Sequence, residues 1–513
     1  MKKVLSFVLI FALVLTCSVA AVPVSALTSG DFEYEVNSDG KSVTITECND
    51  AVTSVVIPSQ FDGYPVTNVS RFAFSYCYDL ESITVEEGNN YFSSEDGVLF
   101  DKDKTEIIKY PVASSRTSYI IPESVLYIGD NAFVNGDKLE SITLPENVKT
   151  IGFSSFEDCD LLANINIPDG VESIDSFAFW YCESLENIKI PKSVETIGLC
   201  AFDNCKSLVD ITVDENNLYF SSQDGVLFDK DKTEIIQYPI GNSRTSYTIP
   251  ESVTDIGYSA FDYALNLTEI TIPGNVKGIG FSAFEDCSGL KTLVISEGVE
   301  VIGDYAFAYC SGIETVTIPA SVESLGSSSF VDCLSVKNIT VASGNRYYLS
   351  ENGVLFDKDM TTLIQYPVAV DRTSYTVPDG VLTIDYSAFA FCESIEKVTI
   401  PKSVETIEFD AFWGCDKLTI YGEKDSAAES YAEMLGIAFV ALGESAHGKV
   451  GDTNGDGKVT IADATQIQKH LANILKLEGA ELEAADTNGD GKVTIADATQ
   501  IQKFLANLIP SLG

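Results

Sequence analysis

Two short segments near the C-terminus of this 513-residue chain have residue types and a spacing that point to a definite chemistry. Asp452-Thr-Asn454-Gly-Asp456-Gly457-Lys458-Val-Thr460-Ile-Ala-Asp463 recurs 34 residues later as Asp486-Thr-Asn488-Gly-Asp490-Gly491-Lys492-Val-Thr494-Ile-Ala-Asp497. Counted from the first Asp, side-chain oxygens fall at positions 1, 3, 5, 9 and 12, and position 7 offers the backbone carbonyl of Lys458 or Lys492. Oxygen donors at this spacing wrap a hard divalent cation, and Ca2+ is the ion that takes roughly six to eight of them in flexible geometry. Gly457 and Gly491 permit the sharp turn at position 6. Asp stands at position 12 where Glu is usual, and its shorter reach bears on denticity and affinity. Two copies predict two Ca2+ ions.

Elsewhere the residues are informative mainly by what they exclude. The histidines are His447 and His470, so residues 1–446 contain no Ser-His-Asp triad, no Cys-His pair and no His-based zinc site. Lys and Arg number 32 against 76 Asp and Glu, a net charge of −44. Such a surface repels phosphate backbones and anionic lipid, which excludes nucleic-acid and membrane-surface binding. A glycosidase needs two carboxylates at a set separation; no pair stands out here, and no catalytic residue is assigned. Asp101 and Asp103 alternate with lysines in Gly97-Val-Leu-Phe-Asp-Lys-Asp-Lys-Thr-Glu-Ile-Ile and lack a third carboxylate. They read as a solvated turn.

The elements that position the two loops follow from periodicity. Ala464, Ile467, Leu471 and Ile474 after the first loop, and Ala498, Ile501, Leu505 and Leu508 after the second, are spaced by three and four, which predicts a helix with an apolar face after each. At the other end, Met1-Lys2-Lys3, an apolar run from Val4 to Thr16 and Val24-Ser25-Ala26 have the form of a signal peptide over residues 1–26. No later apolar run is long enough to insert into a membrane. The expectation is a secreted, extracellular protein.

Repetition dominates residues 31–442. The phrase Ile-Pro-x-x-Val-x-x-Ile-Gly-x-x-Ala-Phe-x-x-Cys-x-x-Leu-x-x-Ile-x-Ile-Pro recurs, with its Phe at 74, 133, 156, 179, 202, 261, 284, 307, 330, 389 and 412. Steps of 23 are broken by steps of 59, and Phe74, Phe202 and Phe330 lie 128 apart, the mark of a duplicated four-module block. A 23-residue unit cannot bury its own apolar side, whereas a stack can, so the prediction is a solenoid with one short strand per unit, such as Ile188-Lys-Ile190. The 59-residue units add two β-prone stretches around a charged turn, read as a hairpin or extra rungs. Nine cysteines stand three residues after the module Phe: Cys77, Cys159, Cys182, Cys205, Cys287, Cys310, Cys333, Cys392 and Cys415. Gly136 and Ala264 fill the same place elsewhere, so the slot is read as small and buried, with free thiols rather than bridges. Between the strand core residues lie Thr84, Thr143, Asn166, Lys189, Thr212, Thr271, Val294, Thr317, Thr340 and Thr399, a β-prone solvent face that also offers a row for a partner.

These repeats resemble the BspA-type leucine-rich repeat family, over about residues 31–442. The resemblance implies a mainly β fold with a curved parallel sheet, an N-terminal cap opening at Asp31-Phe-Glu-Tyr-Glu, a C-terminal cap over 418–442, and adhesion or protein binding rather than catalysis. Residues 450–510 resemble a type I dockerin, a small all-α, EF-hand-like module that plugs into cohesins on cellulosome scaffoldins. That family's contact positions fall on Ile461, Ala462, Gln468 and Lys469 in the first copy and on Ile495, Ala496, Gln502 and Lys503 in the second. The organisation expected is a signal peptide (1–26), solenoid with N-terminal cap (27–417), C-terminal cap (418–442), linker (443–449) and dockerin (450–513). The function expected is a non-catalytic protein held calcium-dependently to a cohesin, its repeats binding a protein or glycan partner. A polysaccharide-degrading enzyme and a surface adhesin anchored by the dockerin stay open beside it.

Overall fold

The computed structural model describes residues 27–442, 450–454, 458–477, 479–489, 491–506, 508–509 and 512. The proposed signal peptide, the linker 443–449, and Asp456 and Asp490 lie outside them.

Each 23-residue unit forms two short strands where the sequence predicts one. In residues 27–310, Ser118–Ile120, Ser141–Thr143, Asn164–Ile165, Asn187–Ile190 and Asp210–Val213 run parallel in one sheet. Glu106–Lys109, Tyr127–Ile128, Thr150–Ile151, Ser173–Ile174 and Thr196–Ile197 form a second parallel row. Two residues are too few to show an alternation, which is why the second row is not legible as strand. Along the third side, Phe133, Phe156 and Phe179 each donate N–H to the next coil, to Ser155, Ala178 and Ala201 at 2.8 Å. The chain turns sharply around these Phe because the residues two before and two after adopt left-handed backbone: Asn131, Asn135, Ser154 and Asp158 have φ 55°, 62°, 50° and 55°. Asn and Asp bear this conformation better than most side chains.

The Phe rings form the core. Phe133, Phe156, Phe179 and Phe202 stack at centroid spacings of 5.1, 5.2 and 5.6 Å, and Phe261, Phe284 and Phe307 at 4.8 and 5.2 Å. Each 59-residue step contains an antiparallel meander, such as Phe220–Gln223, Val226–Asp229 and Glu234–Gln237. Its last strand joins the second row beside Asp255–Ile256. The following Tyr110 or Tyr238 then heads the next ring stack, 5.2 Å from Phe133 or 4.9 Å from Phe261. The insertion is therefore a hairpin that becomes a rung. N-terminal strands Phe32–Val36, Val43–Cys48 and Tyr64–Val69 cap this stack.

Residues 311–442 repeat the plan. The meander Tyr348–Glu351, Val354–Asp357 and Thr362–Gln365 leads to Tyr366, which stacks on Phe389 at 4.9 Å, and Phe389 on Phe412 at 4.7 Å. Helix α1 (Ala427–Leu435) closes this part, with Ser426 as N-cap and Gly436 at φ 70° as C-cap. Its Tyr431 meets Phe412 edge-on at 5.8 Å, and Ala438–Leu442 adds a last parallel strand.

Residues 450–512 contain α2 (Ile461–Leu471), α3 (Gly479–Ala485) and α4 (Ile495–Leu505). Ala464, Ile467, Leu477, Ala485, Ala498 and Ile501 make their core. The predicted apolar faces are half realised: Leu471 and Leu505 are partly exposed, and Ile474 and Leu508 lie past the helix ends in solvent. Each helix stops one turn short of its apolar pattern, leaving only the middle turn to bury. Among the described residues no helix is long and apolar enough to cross a membrane.

Candidate functional site

Both loop–helix copies build their site from one device. Thr460 and Thr494 cap α2 and α4 at the N-terminus, and Asp463 and Asp497 at N3 close a reciprocal capping box. Asp463 is fully buried: its Oδ1 accepts from the N–H of Thr453 (2.9 Å) and Asn454 (3.1 Å), and its Oδ2 from the N–H (2.8 Å) and hydroxyl (3.0 Å) of Thr460. Asp497 repeats this with Thr487, Asn488 and Thr494 at 3.0, 3.2 and 2.8 Å. The twelfth-position carboxylate thus folds the loop back onto the helix N-terminus and holds positions 2, 3 and 9 together. Asp452 is also buried and Asp486 half-buried; Asn454 and Asn488 lie half-exposed beside them. Gly491 has φ 82°, which the turn at position 6 requires, and its N–H donates to Asp486 Oδ2 at 2.7 Å.

The chemistry of this donor set fits a hard cation: carboxylate and amide oxygens with buried negative charge and no soft ligand. Among the described residues no three His, Cys, Asp or Glu side chains converge on a metal-holding arrangement. Each loop's fifth-position carboxylate is outside those residues.

The eight predicted contact residues are all solvent-facing. Ile461 and Ile495 are each 59% exposed and take no part in the core. Ile461, Gln468 and Lys469 are exposed on α2 while Ala464 and Ile467 are buried, and Ile495, Gln502 and Lys503 repeat this on α4. Ile461 and Gln468, seven residues apart, fall on nearly one line of the helix, as do Ile495 and Gln502.

On the repeats, the predicted row is exposed at most positions, from Thr84 to Thr317, and half-buried at Thr340 and Thr399. Thr317 and Thr340 hydroxyls meet at 3.0 Å. Asp101 is a turn-former as read from its lysine neighbours: it accepts from Thr105 N–H (2.6 Å), Thr105 hydroxyl (2.6 Å) and Glu106 N–H (2.8 Å). The module cysteines are free and buried.

Two features were not singled out from sequence. A cleft of about 590 Å³ is lined by Arg71, Glu106, Lys109, Tyr127, Asp130 and Asp175. Arg71 pairs with Asp130 at 3.3 Å between the rings of Phe72 and Phe153. A buried acidic group also forms where Asp203 and Asp262 both accept from Asn204 Nδ2, at 3.3 and 3.4 Å. The only sequence signal is that block one has Lys109 where the later blocks have Gln237 and Gln365.

Stacked two-strand coils around a Phe ladder, joined in one chain to a paired loop–helix module, define a leucine-rich-repeat solenoid with a docking module. The family models agree. The BspA type leucine rich repeat region matches in six copies over residues 105–224, 240–352 and 369–429, more than half the chain, and the Dockerin type I domain matches residues 450–506. The chain belongs to the BspA-type leucine-rich repeat family and carries a C-terminal type I dockerin domain. Among solved structures it is similar to a leucine rich cell surface protein from Faecalibacterium prausnitzii, at 24% identity over 80% of this chain and 98% of that one, TM-score 0.42. The pneumococcal vaccine antigen PcpA gives 19% identity over 81% and 98%, TM-score 0.45. A leucine-rich repeat protein from Eubacterium ventriosum gives 22% over 77% and 83%, TM-score 0.40. No curated protein matches the chain.

Proposed function

We propose that the chain is a secreted, non-catalytic binding protein whose dockerin holds it, with Ca2+, to a cohesin of a cellulosome-type scaffoldin. The repeats over residues 27–417, capped by 418–442, are the arm that takes a protein or cell-wall partner; 443–449 is the linker and 450–513 the docking module. The observation that carries this reading is the duplicated exposed face, Ile461-Ala462 with Gln468-Lys469 and Ile495-Ala496 with Gln502-Lys503, standing on two loops of hard-oxygen donors. Each face pairs an apolar tip with a polar flank, the composition of a docking surface. Asp452, Asn454, Asp456, the Lys458 carbonyl, Thr460 and Asp463 would hold one ion, and Asp486, Asn488, Asp490, the Lys492 carbonyl, Thr494 and Asp497 the other. When bound, the ions neutralise charge that otherwise pushes each loop open. In the repeats, a row of Thr hydroxyls spread over many coils suits distributed contact with a partner rather than attack on one bond. Titrating the full chain against an immobilised type I cohesin, in Ca2+ and in chelator, tests the reading. Tight binding that chelator abolishes is the expected result. Equal binding in both, or none to a broad panel of type I cohesins, overturns it.

A further inference from the structure

The thiol column of residues 27–310 changes partners at its start. Cys159, Cys182, Cys205, Cys287 and Cys310 each donate S–H to the carbonyl of the Phe one coil back, 26 residues earlier, at 3.4, 3.1, 3.1, 3.0 and 3.1 Å. Cys77 belongs to the first module and has no Phe coil behind it. Its thiol turns to the N-terminal strands and reaches the carbonyls of Cys48 and Asn49, both at 3.7 Å. The thiol of Cys48 reaches the same Asn49 carbonyl at 3.8 Å, so the two thiols converge on one acceptor. Cys48 is fixed in place: it ends the strand Val43–Cys48, and its N–H donates to Ala73 at 2.7 Å. It stands outside the Phe-plus-three column, so no small-residue slot accounts for it.

We propose that Cys48 and Cys77 are an oxidisable pair that closes a disulfide between the N-terminal strands and the first coil, while the column from Cys159 to Cys310 stays reduced. In the column each S–H has a Phe carbonyl of its own at 3.0–3.4 Å; at the first module two thiols share one carbonyl at longer range. As the chain folds, one thiol of the pair ionises and attacks. It displaces one sulfur of a small disulfide oxidant, of the class of oxidised glutathione, and forms a mixed disulfide. The other cysteine then loses its proton and displaces the second sulfur. Two S–H bonds and the oxidant's S–S bond break, and one new S–S bond forms; two electrons and two protons pass to the oxidant, which leaves as two thiols. Since Cys48 and Cys77 are only 3% and 2% exposed, the exchange belongs to folding, and the finished bond is closed to reductant.

The test refolds the full chain in a glutathione redox buffer and, separately, in dithiothreitol, followed by alkylation and peptide mapping. Trypsin cuts after Lys41, Arg71 and Lys102, so the two cysteines fall on different peptides. The expected result is a linked 42–71/72–102 pair in the glutathione sample, with alkylated Cys159, Cys182, Cys205, Cys287 and Cys310. The linked form should melt above the reduced form, a difference lost in Cys48→Ala and kept in Cys182→Ala. Alkylation of both Cys48 and Cys77 after oxidative refolding overturns the proposal, as does a bridge within the column; the map on unaltered protein decides this even if Cys48→Ala fails to fold. A linked pair with no rise in melting temperature overturns the tying role.

Discussion

The carbonyl of Phe179 shows why a cysteine fits the slot three residues after a module Phe. That oxygen takes the N–H of Cys182 at 3.2 Å and the S–H of Cys205 at 3.1 Å. Removing the thiol leaves the carbonyl its backbone partner, so Cys205→Ala should cost about 1 kcal/mol, mostly lost packing. Cys205→Asp should cost several times that, through an unpaired buried charge; equal losses in denaturant melts would refute the slot. Gly136 and Ala264 follow hairpin insertions, where the residue 26 earlier is Tyr110 or Tyr238. The column was legible because it repeats at fixed spacing. Its first partner, Cys48, was not, because it lies outside the period. Asp203 and Asp262 occupy one repeat position, just after Phe202 and Phe261, yet nothing in 76 acids marks them until the fold brings them together. Burial pushes Asp203 and Glu285 up to about 7 and Asp262 well above its usual range; the charges of Asp203 and Glu285 raise Asp262 further, and that of Glu285 raises Asp203. Unfolded, these carboxyls titrate near 4. The fold thus retains their protons further up the pH scale, so the stability they contribute is whole below about pH 4 and is lost as pH rises through about 7. Asp262→Asn should raise the melting temperature at pH 8 and leave it nearly unchanged at pH 4. A variant that melts no higher than wild type at pH 8 would show that the charge is not the burden.

At the scale of the element, one buried Asn anchors each insertion. Asn217 donates Nδ2 to the carbonyls of Pro191 and Val194, both at 2.9 Å, and its Oδ1 accepts the N–H of Tyr219 and Phe220, both at 2.8 Å. Its own carbonyl takes the Lys230 ammonium. Asn345 repeats the set with Pro319, Val322, Tyr347 and Tyr348. Asn217→Ala strips partners from four backbone groups at once and should cost about 3 kcal/mol, with faster hydrogen exchange at Tyr219 and Phe220. An unchanged exchange rate there would mean that the hairpin holds without its anchor. The hairpins themselves were legible as paired β-prone stretches around a charged turn. Hairpin and extra rungs stayed open as alternatives, since Glu234–Gln237 looks the same in a free hairpin as in a stack; the insertion is both. The dockerin helices show the opposite limit: α2 and α4 were legible from spacing, but the pattern overstates their burial because it cannot say where each helix ends. Leu471 and Leu505 belong to the pattern and stay partly in solvent.

Over the whole molecule, periodicity separated repeats from docking module, because one period is 23 and the other 34 and each implies its own packing. The calcium reading makes the two parts respond differently. If the loops bind, Ca2+ at a thousandfold excess over Kd stabilises residues 450–513 by about 4 kcal/mol, and chelator should lower that melting transition while the repeat transition stays in place. A chelator-insensitive module would refute the loop assignment. The partner reading makes a sharper demand, which rests on the two copies being nearly one sequence: Asp452–Leu471 and Asp486–Leu505 differ only at His470 and Phe504. Ile461, Ala462, Gln468 and Lys469 are exposed just as Ile495, Ala496, Gln502 and Lys503 are. A half-turn of the module then offers a cohesin nearly the same surface. Ala462→Asp would set an unpaired charge in the contact in one orientation, at a cost of about 3 kcal/mol, and leave the other orientation intact. Losing one of two equal modes halves the weight of the bound state, only about 0.4 kcal/mol by RT ln 2. Ala496→Asp should behave alike, and the double variant should lose binding by more than a hundredfold. Titration of all four forms against one cohesin decides it. A large loss from either single change means that one face does the docking, and that the other copy serves only to close the fold.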